Sequence, residues 1–300
     1  MSMEGCFVAG ADPELMLLTP EGKLTSAIPI VPGTKEKPHK VSCGAVQHDN
    51  VMAEFNVDPS ETDDEFVHNM REVLRELSGM IAPLTLVARA SANFPKKELE
   101  DDVARVFGCD PDFDSWSLQM NDIDGTAAME TFRSAGGHFH IGEKEATRDM
   151  LQDPYGKVEV VKMLDIFQGI VSIAIDDDKT APKRRALYGR AGAHRPKDYG
   201  VEYRALGNFW VRSPDLVHLM YELADRAVAL TLDGKSTEII ESIGETEIQR
   251  VINDSDKKTA KKIVKDLLVG WIDSGTYTRI LKASPISALK GVTLTEAWGI

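Results

Sequence analysis

Four short segments place chemically capable side chains two residues apart within otherwise apolar runs: Asp12-Pro13-Glu14, Glu54-Phe55-Asn56, His138-Phe139-His140 and Glu202-Tyr203-Arg204. In a strand, residues i and i+2 point to the same face. Each segment therefore shows its polar pair to one surface and its apolar neighbours to the other. A sheet face carrying Glu14, Glu54, His138 and Glu202 is a divalent-metal site in outline. Carboxylate oxygens with one imidazole suit Mg²⁺ or Mn²⁺, with substrate phosphates completing the shell. A lone glutamate in an alternating strand is commonly only a solvated face; the His-x-His pair is more specific. Gly136-Gly137, just before it, leave the backbone open to close approach by a ligand or loop.

Charge placement adds a second feature. Residues 183 to 204 collect Lys183, Arg184, Arg185, Arg190, Arg195, Lys197 and Arg204, opposed only by Asp198 and Glu202, in a chain whose formal charge is −13. The alternatives are a solvated basic loop and a phosphate clamp, in which guanidinium forks grip phosphoryl oxygens bidentately. Glycines at 189, 192 and 200 would let such a loop fold over a ligand. Carboxylate-bound metal facing arginines is the electrostatic arrangement that phosphoryl transfer requires. The chain has no GxxxxGK[ST], no kinase catalytic-loop pattern and no GxGxxG opening a helix. A nucleotide would have to be held another way.

The elements that must position these residues are partly readable. Phe7–Leu18 is apolar but broken by Asp12, Pro13 and Glu14; Pro20-Glu21-Gly22 reads as a turn, and Leu24–Val31 as a second strand. Val51–Val57 alternates as a third. Thr62 with Glu65 is a capping box, and Phe66, Met70, Val73, Leu74, Leu77 and Ile81 form an apolar helical stripe that Pro83 ends, a core face rather than a cofactor box. Strands are expected at Leu84–Ala92, Trp116–Asn121, Thr131–Ile141 and Val201–Leu206, helices at Lys96–Phe107 and Val158–Ile175, and a loop over 179–200. Beyond residue 212 the composition turns helical, at about 214–230, 245–253 and 256–273. This divides the chain into a mixed body, 1–212, and a helical extension, 213–300, packed on it without a flexible linker.

Three hundred residues, 42% hydrophobic and 28% charged, describe an ordinary globular protein with ample chain for a core. The acidic balance disfavours intact nucleic acid as partner. No run reaches eighteen apolar residues, and Met1–Gly10 lacks a basic region followed by an apolar core, so neither a membrane span nor a secretory signal is expected. Cys6, Cys43 and Cys109 stand far apart without a CxxC pair, which reads as reduced thiols in a cytoplasmic protein.

Together these residues carry a resemblance. Gly-Gly-His-Phe-His-Ile-Gly at 136–142 resembles the Gly-x-His-x-His strand of glutamate–cysteine ligases and the corresponding segment of glutamine synthetases. Val201-Glu202-Tyr203-Arg204 resembles their late Glu-x-Arg strand, and Glu54 the glutamate of the strand before the first long helix. The Gly-x-Asp-Pro-Glu pattern, the Gly-Gly-His-x-His strand, and Tyr-Gly-x-x-Gly before Gly-Val-Glu-Tyr-Arg together are similar to the phage-type carboxylate–amine (COOH–NH2) ligase family. The likeness spans about residues 5–212.

The resemblance implies an α+β fold like that of glutamine synthetase and glutamate–cysteine ligase. In it a mostly antiparallel sheet has one open face for ATP and Mg²⁺ or Mn²⁺, and helices on the other. It places Glu14, Glu54, His138 and Glu202 at metal-ligand positions, with Asp12 replacing a glutamate one methylene longer. Arg185, Arg190, Arg195 and Arg204 fall where phosphate and carboxylate are gripped, and His140, Glu202 and Asp49 are candidate general bases. The implied reaction is ATP-dependent amide formation through an acyl phosphate. Its substrates would be a small-molecule or peptide carboxylate and an amine, in the host cytoplasm if the chain is phage-encoded, with a homo-oligomer compatible. The alternatives are a guanidino-kinase-like phosphotransferase, a metal-dependent hydrolase, and a non-catalytic phage structural or interaction protein that keeps the fold. If the open face is solvated, neither Glu202 nor Arg204 should be needed for folding.

Overall fold

The interrupted apolar run forms one unbroken strand, β1 (Glu4–Leu18), in a computed structural model that describes residues 4–105, 112–121, 130–283 and 291–300. Cys109 lies outside the described residues. Phe7, Ala9, Ala11 and Leu15 are buried on one side of β1, while Asp12 and Glu14 line the other. Pro13 does not break the strand because it is the last residue paired with the His-x-His strand. The missing proline N–H falls where that ladder ends, and the Glu14 N–H donates to the Gly136 carbonyl at 3.0 Å.

The other strands that position the face are β2 (Gly33–Thr34), β3 (Lys37–Val41), β4 (Gly44–Asp49), β5 (Met52–Val57), β6 (Phe113–Asp114), β7 (Gln119–Met120), β8 (Gly137–Gly142), β9 (Ala193–Lys197) and β10 (Gly200–Tyr203). Among the described residues they join in the order β7-β6-β9-β10-β8-β1-β5-β4-β3-β2. Every pairing is antiparallel. The short strands Leu24–Thr25, Ser60–Thr62 and Thr85–Val87 also pair with β1. The protein is thus α+β, with a large antiparallel sheet.

Helices cover the apolar face. α1 (Asp63–Ile81) buries the whole predicted stripe, and its cap is half the expected box. Thr62 Oγ1 accepts from the Glu65 N–H, but the Glu65 carboxylate accepts from the Glu61 N–H rather than from Thr62. The predicted helix at 158–175 starts earlier, as α2 (Pro154–Leu164) capped by Asp153, and passes through a π-helical turn at Asp165–Ile170 into α3 (Val171–Ile175). The 179–200 loop contains α4 (Ala181–Arg185) and β9. The second strand shrinks to Leu24–Thr25, because Ile30 and Val31 donate back to the Ala27 carbonyl in turns and Pro29 has no N–H to give a ladder. The strand expected at 84–92 is divided into Thr85–Val87 and Ser91–Asn93, the latter pairing with Phe132–Ser134.

After residue 212 come α5 (Pro214–Leu232), α6 (Ser236–Ile243), α7 (Glu245–Asn253), α8 (Lys257–Asp266), α9 (Ser274–Ala283) and α10 (Leu294–Trp298). They share one hydrophobic cluster with the sheet. Tyr221 of α5 stacks on Phe7 at 5.2 Å, and Trp298 Nε1 donates to the Val211 carbonyl at 2.8 Å. No helix among the described residues is long and apolar enough to cross a membrane.

Candidate active site

Register brings the i, i+2 pairs together on the face opposite the helices. Asp12 is the Cα partner of His138, Glu14 of Glu54, His140 of Glu202, and Glu202 of Arg195. Residues directly opposite in antiparallel strands share a face and touch. Five adjacent strands therefore set carboxylates, imidazoles and guanidiniums side by side. Gln47 and Asp49 on β4 extend the row, paired to Glu54 and Met52.

On this face Asp12, His140 and Glu202 gather so that their donor atoms all lie within 4.8 Å of one another. His140 Nε2 sits 3.2 Å from Asp12 Oδ1 and is buried without a hydrogen bond. Its other nitrogen, Nδ1, shares a 2.7 Å hydrogen bond with the Tyr199 hydroxyl, and the two rings stack. His138, placed with the ligands by resemblance, is held differently. Its Nδ1 lies 3.0 Å from Asp12 Oδ1 and 3.3 Å from Arg204 Nη1. Its Nε2 lies against Gly136, where a Cβ would sit only 2.3 Å away. Gly136 thus makes room for the His138 ring, and Gly137 for Trp210, whose Nε1 donates to the Gly137 carbonyl.

Cations ring Glu202. Arg204 Nη1 donates to Oε1, Lys197 Nζ lies 2.8 Å from Oε2, and Arg195 Nη1 lies 3.6 Å from Oε1. Arg204 also reaches Asp112 at 3.4 Å. Glu202 is only 1% exposed and Arg204 5%, so this end of the face is desolvated and the expectation of a solvated pair is overturned. Burial opposes ionisation of Glu202, yet the positive charges around it hold the carboxyl down at about 2. Asp12, whose side chain keeps 22% exposure, is held well below its usual range by His140 and His138 against the opposing effect of burial. Burial and Arg204 push His138 down to about 4, while Asp12 pulls His140 up.

At the other end, burial and the negative charge of Asp49 raise Glu14 to about 7, although the Gly136 N–H donates to Glu14 Oε2 at 2.7 Å. Burial with Asp12, Asp49 and Glu14 nearby raises Glu54 well above its usual value. The cation closest to this end is Arg184, which the resemblance passed over. It approaches Glu14, donates to the Arg204 carbonyl at 3.2 Å, and lies against Gly189, whose φ of +78° and lack of Cβ admit it.

Arg185, chosen by resemblance, is not on this face. Its guanidinium turns toward the helical layer and donates to Ser255 Oγ at 2.6 Å. Neighbouring residues on a helix point about 100° apart, so one of the two arginines had to leave the site. Arg190 is exposed. Tyr199, Lys197, Asp112 and Arg184 were not singled out as site residues. For Lys197 the signal was present, since it lies two residues from Arg195 in one strand; for Tyr199, in the β9–β10 turn, there was none.

This is an α+β protein that collects carboxylates, imidazoles and guanidiniums on one open sheet face. Its sequence matches the family described as phage phiEco32-like COOH·NH2 ligase type 2 over residues 118–280, more than half of the chain, and the protein belongs to that family. The match includes His138, His140, Arg195, Glu202 and Arg204 and continues through α5 to α8. No curated protein matches the chain. Among solved structures, a bifunctional glutathione synthetase from Pasteurella multocida aligns at 12% identity and a TM-score of 0.39, covering 95% of this chain and 52% of that one. The chain thus spans about half the length of that protein.

Proposed function

We propose that the open face joins a carboxylate to an amine at the expense of ATP, through an acyl phosphate, on a sheet of the glutamine synthetase and glutamate–cysteine ligase type. The observation that carries this reading is the convergence of Asp12, His140 and Glu202 beside Arg195, Lys197 and Arg204 in a member of a COOH·NH2 ligase family.

Two carboxylates and a buried imidazole nitrogen without a hydrogen bond fit a hard divalent ion such as Mg²⁺ or Mn²⁺. Such an ion would neutralise charge developing on phosphate oxygens. Tyr199 fixes the His140 ring so that Nε2 faces the two carboxylates. Lys197, a third exposed, can swing from Glu202 to a phosphate when the carboxylate takes up a cation. Arg195 and Arg204 remain to grip the transferring phosphoryl group, with Arg184 near Glu14 as a further donor. Glu14, Glu54 and Asp49 form an acidic end suited to a second cation or to the substrate ammonium.

In the reaction, a carboxylate oxygen attacks the γ-phosphorus, the β–γ bridging P–O bond breaks and ADP leaves. The amine nitrogen then attacks the acyl carbon, phosphate departs, and the nitrogen loses a proton. The test is phosphate release from ATP, screened against pools of carboxylates and amines with Mg²⁺ or Mn²⁺. Release that requires both a carboxylate and an amine supports the ligase. Phosphorylated amine without free phosphate would instead identify a guanidino-kinase-like transfer.

A further inference from the structure

On the far side of the sheet from the open face, α3, α4 and the turn before α8 enclose a cavity of about 270 Å³, lined by Asp176, Pro182, Arg185, Ser255 and Lys257 among others. Arg185 is 4% exposed, and its Nε is buried without a hydrogen-bond partner. Its one hydrogen bond runs from Nη1 to Ser255 Oγ, and no carboxylate among the described residues lies within ion-pairing distance. Its counter-charge is the Asp176 carboxylate in the same cavity, which is not in ion-pair contact with it, so the buried Nε–H is left for an added anion to satisfy.

The carboxylates at the rim are otherwise engaged. Asp177 pairs with Arg212 at 3.1 Å. Asp178 accepts from the Ala90 and Thr180 N–H groups and from Thr180 Oγ1. Asp176 Oδ1 accepts from the Asp178 N–H, with Arg212 at 4.0 Å. Beside the second oxygen of Asp176, the donors left uncommitted are Arg185 Nε–H, the Ser255 hydroxyl proton (its oxygen already accepts from Arg185), and Lys257, which spends one N–H on the Asp176 carbonyl at 2.8 Å.

We propose that this cavity is a binding site for a small oxyanion, a carboxylate or phosphoryl group, gripped by Arg185, Ser255 and Lys257 and separate from the catalytic face. A buried guanidinium flanked by a hydroxyl and an ammonium is what such a group requires.

The full chain, in EDTA and without nucleotide, is titrated with inorganic phosphate and, separately, with acetate, by thermal shift and calorimetry. Stabilisation by bound anion follows mass action. The expected result is one saturable event with at least one anion, and the tighter of the two tells phosphoryl from carboxylate recognition. R185M should weaken it about tenfold or more, since charge-assisted hydrogen bonds are lost. K257Q, at the rim, should do the same and carries the test should R185M fail to fold. R195Q, on the catalytic face, should leave it unchanged. Absence of saturation with both anions, unchanged affinity in R185M or K257Q, or loss in R195Q would overturn the proposal.

Discussion

One carboxylate lies against each face of strand β10, and the two live in opposite chemistry. On the open face Glu202, 1% exposed, is surrounded by Arg204, Lys197 and Arg195, and stays ionised down to about 2. Beneath the neighbouring Tyr203 lies Asp165, 0% exposed, in the π-helical turn. It accepts from Tyr203 Oη at 2.7 Å, Trp116 Nε1 at 2.7 Å and the Gly192 N–H at 2.6 Å. Burial nevertheless pushes its carboxyl up to about 7. Three neutral donors do not replace lost hydration, whereas formal positive charges do. The open face is thus arranged to keep charge available for chemistry. The covered face uses a carboxyl to tie β10, the Gly192 turn and the Trp116 turn together.

Substituting each side should separate these roles. The largest effect is expected from Glu202→Gln. It removes the buried carboxylate that Arg204, Lys197 and Arg195 share and should cost about 3–5 kcal/mol, the scale for breaking a buried pair. It should also abolish tight divalent-metal binding. Urea denaturation with parallel metal titration measures both; a stability change under about 1 kcal/mol would dissolve the contrast with Asp165.

Asp165→Asn should cost less, about 1–3 kcal/mol, because the amide keeps one acceptor but turns its NH₂ toward other donors. Its pH signature should be distinct. A carboxyl at about 7 when folded and about 4 when unfolded keeps a proton in the folded state that the unfolded chain gives up. Stability from this group is therefore full below about pH 4, falls as pH rises, and levels off above about 7. Wild type should lose stability over that window and Asp165→Asn should lose less. Parallel curves would show that Asp165 does not titrate there.

Tyr199→Phe should be the mildest, within about 1 kcal/mol of wild type in stability, since a half-exposed hydrogen bond is lost without a cavity. Metal affinity should still fall about 10- to 100-fold, the usual effect of freeing a ligand histidine. Unchanged affinity would remove His140 from the ligand set.

How much of this was legible depends on which physical rule decides each feature. Strand parity alone places Asp12, Glu14, Glu54, His138, His140, Glu202 and Arg204 on one face, and the structure has them there. Parity is silent on ring orientation, which leaves His140 Nε2 beside Asp12 without a hydrogen bond, whereas His138 turns Nδ1 to Asp12 and Nε2 to Gly136. Helical rotation decides between Arg184 and Arg185, and a five-residue helix inside an apparent loop leaves no periodicity to read. Strands β2 to β4 went unread because Lys37-Pro38-His39-Lys40 carries no alternation. The π-helical turn is a tertiary effect. It serves Asp165's contacts with Tyr203, Trp116 and Gly192, and no local sequence pattern encodes them.

On the proposed reading, this face binds ATP through a divalent ion held by ionised carboxylates. Calorimetric titration of the wild-type protein with ATP, once in Mg²⁺ and once in EDTA, tests it most directly. Asp12 and Glu202 repel a bare triphosphate but attract its metal complex, so affinity should be at least about tenfold tighter in Mg²⁺; equal affinity in the two buffers would contradict the account.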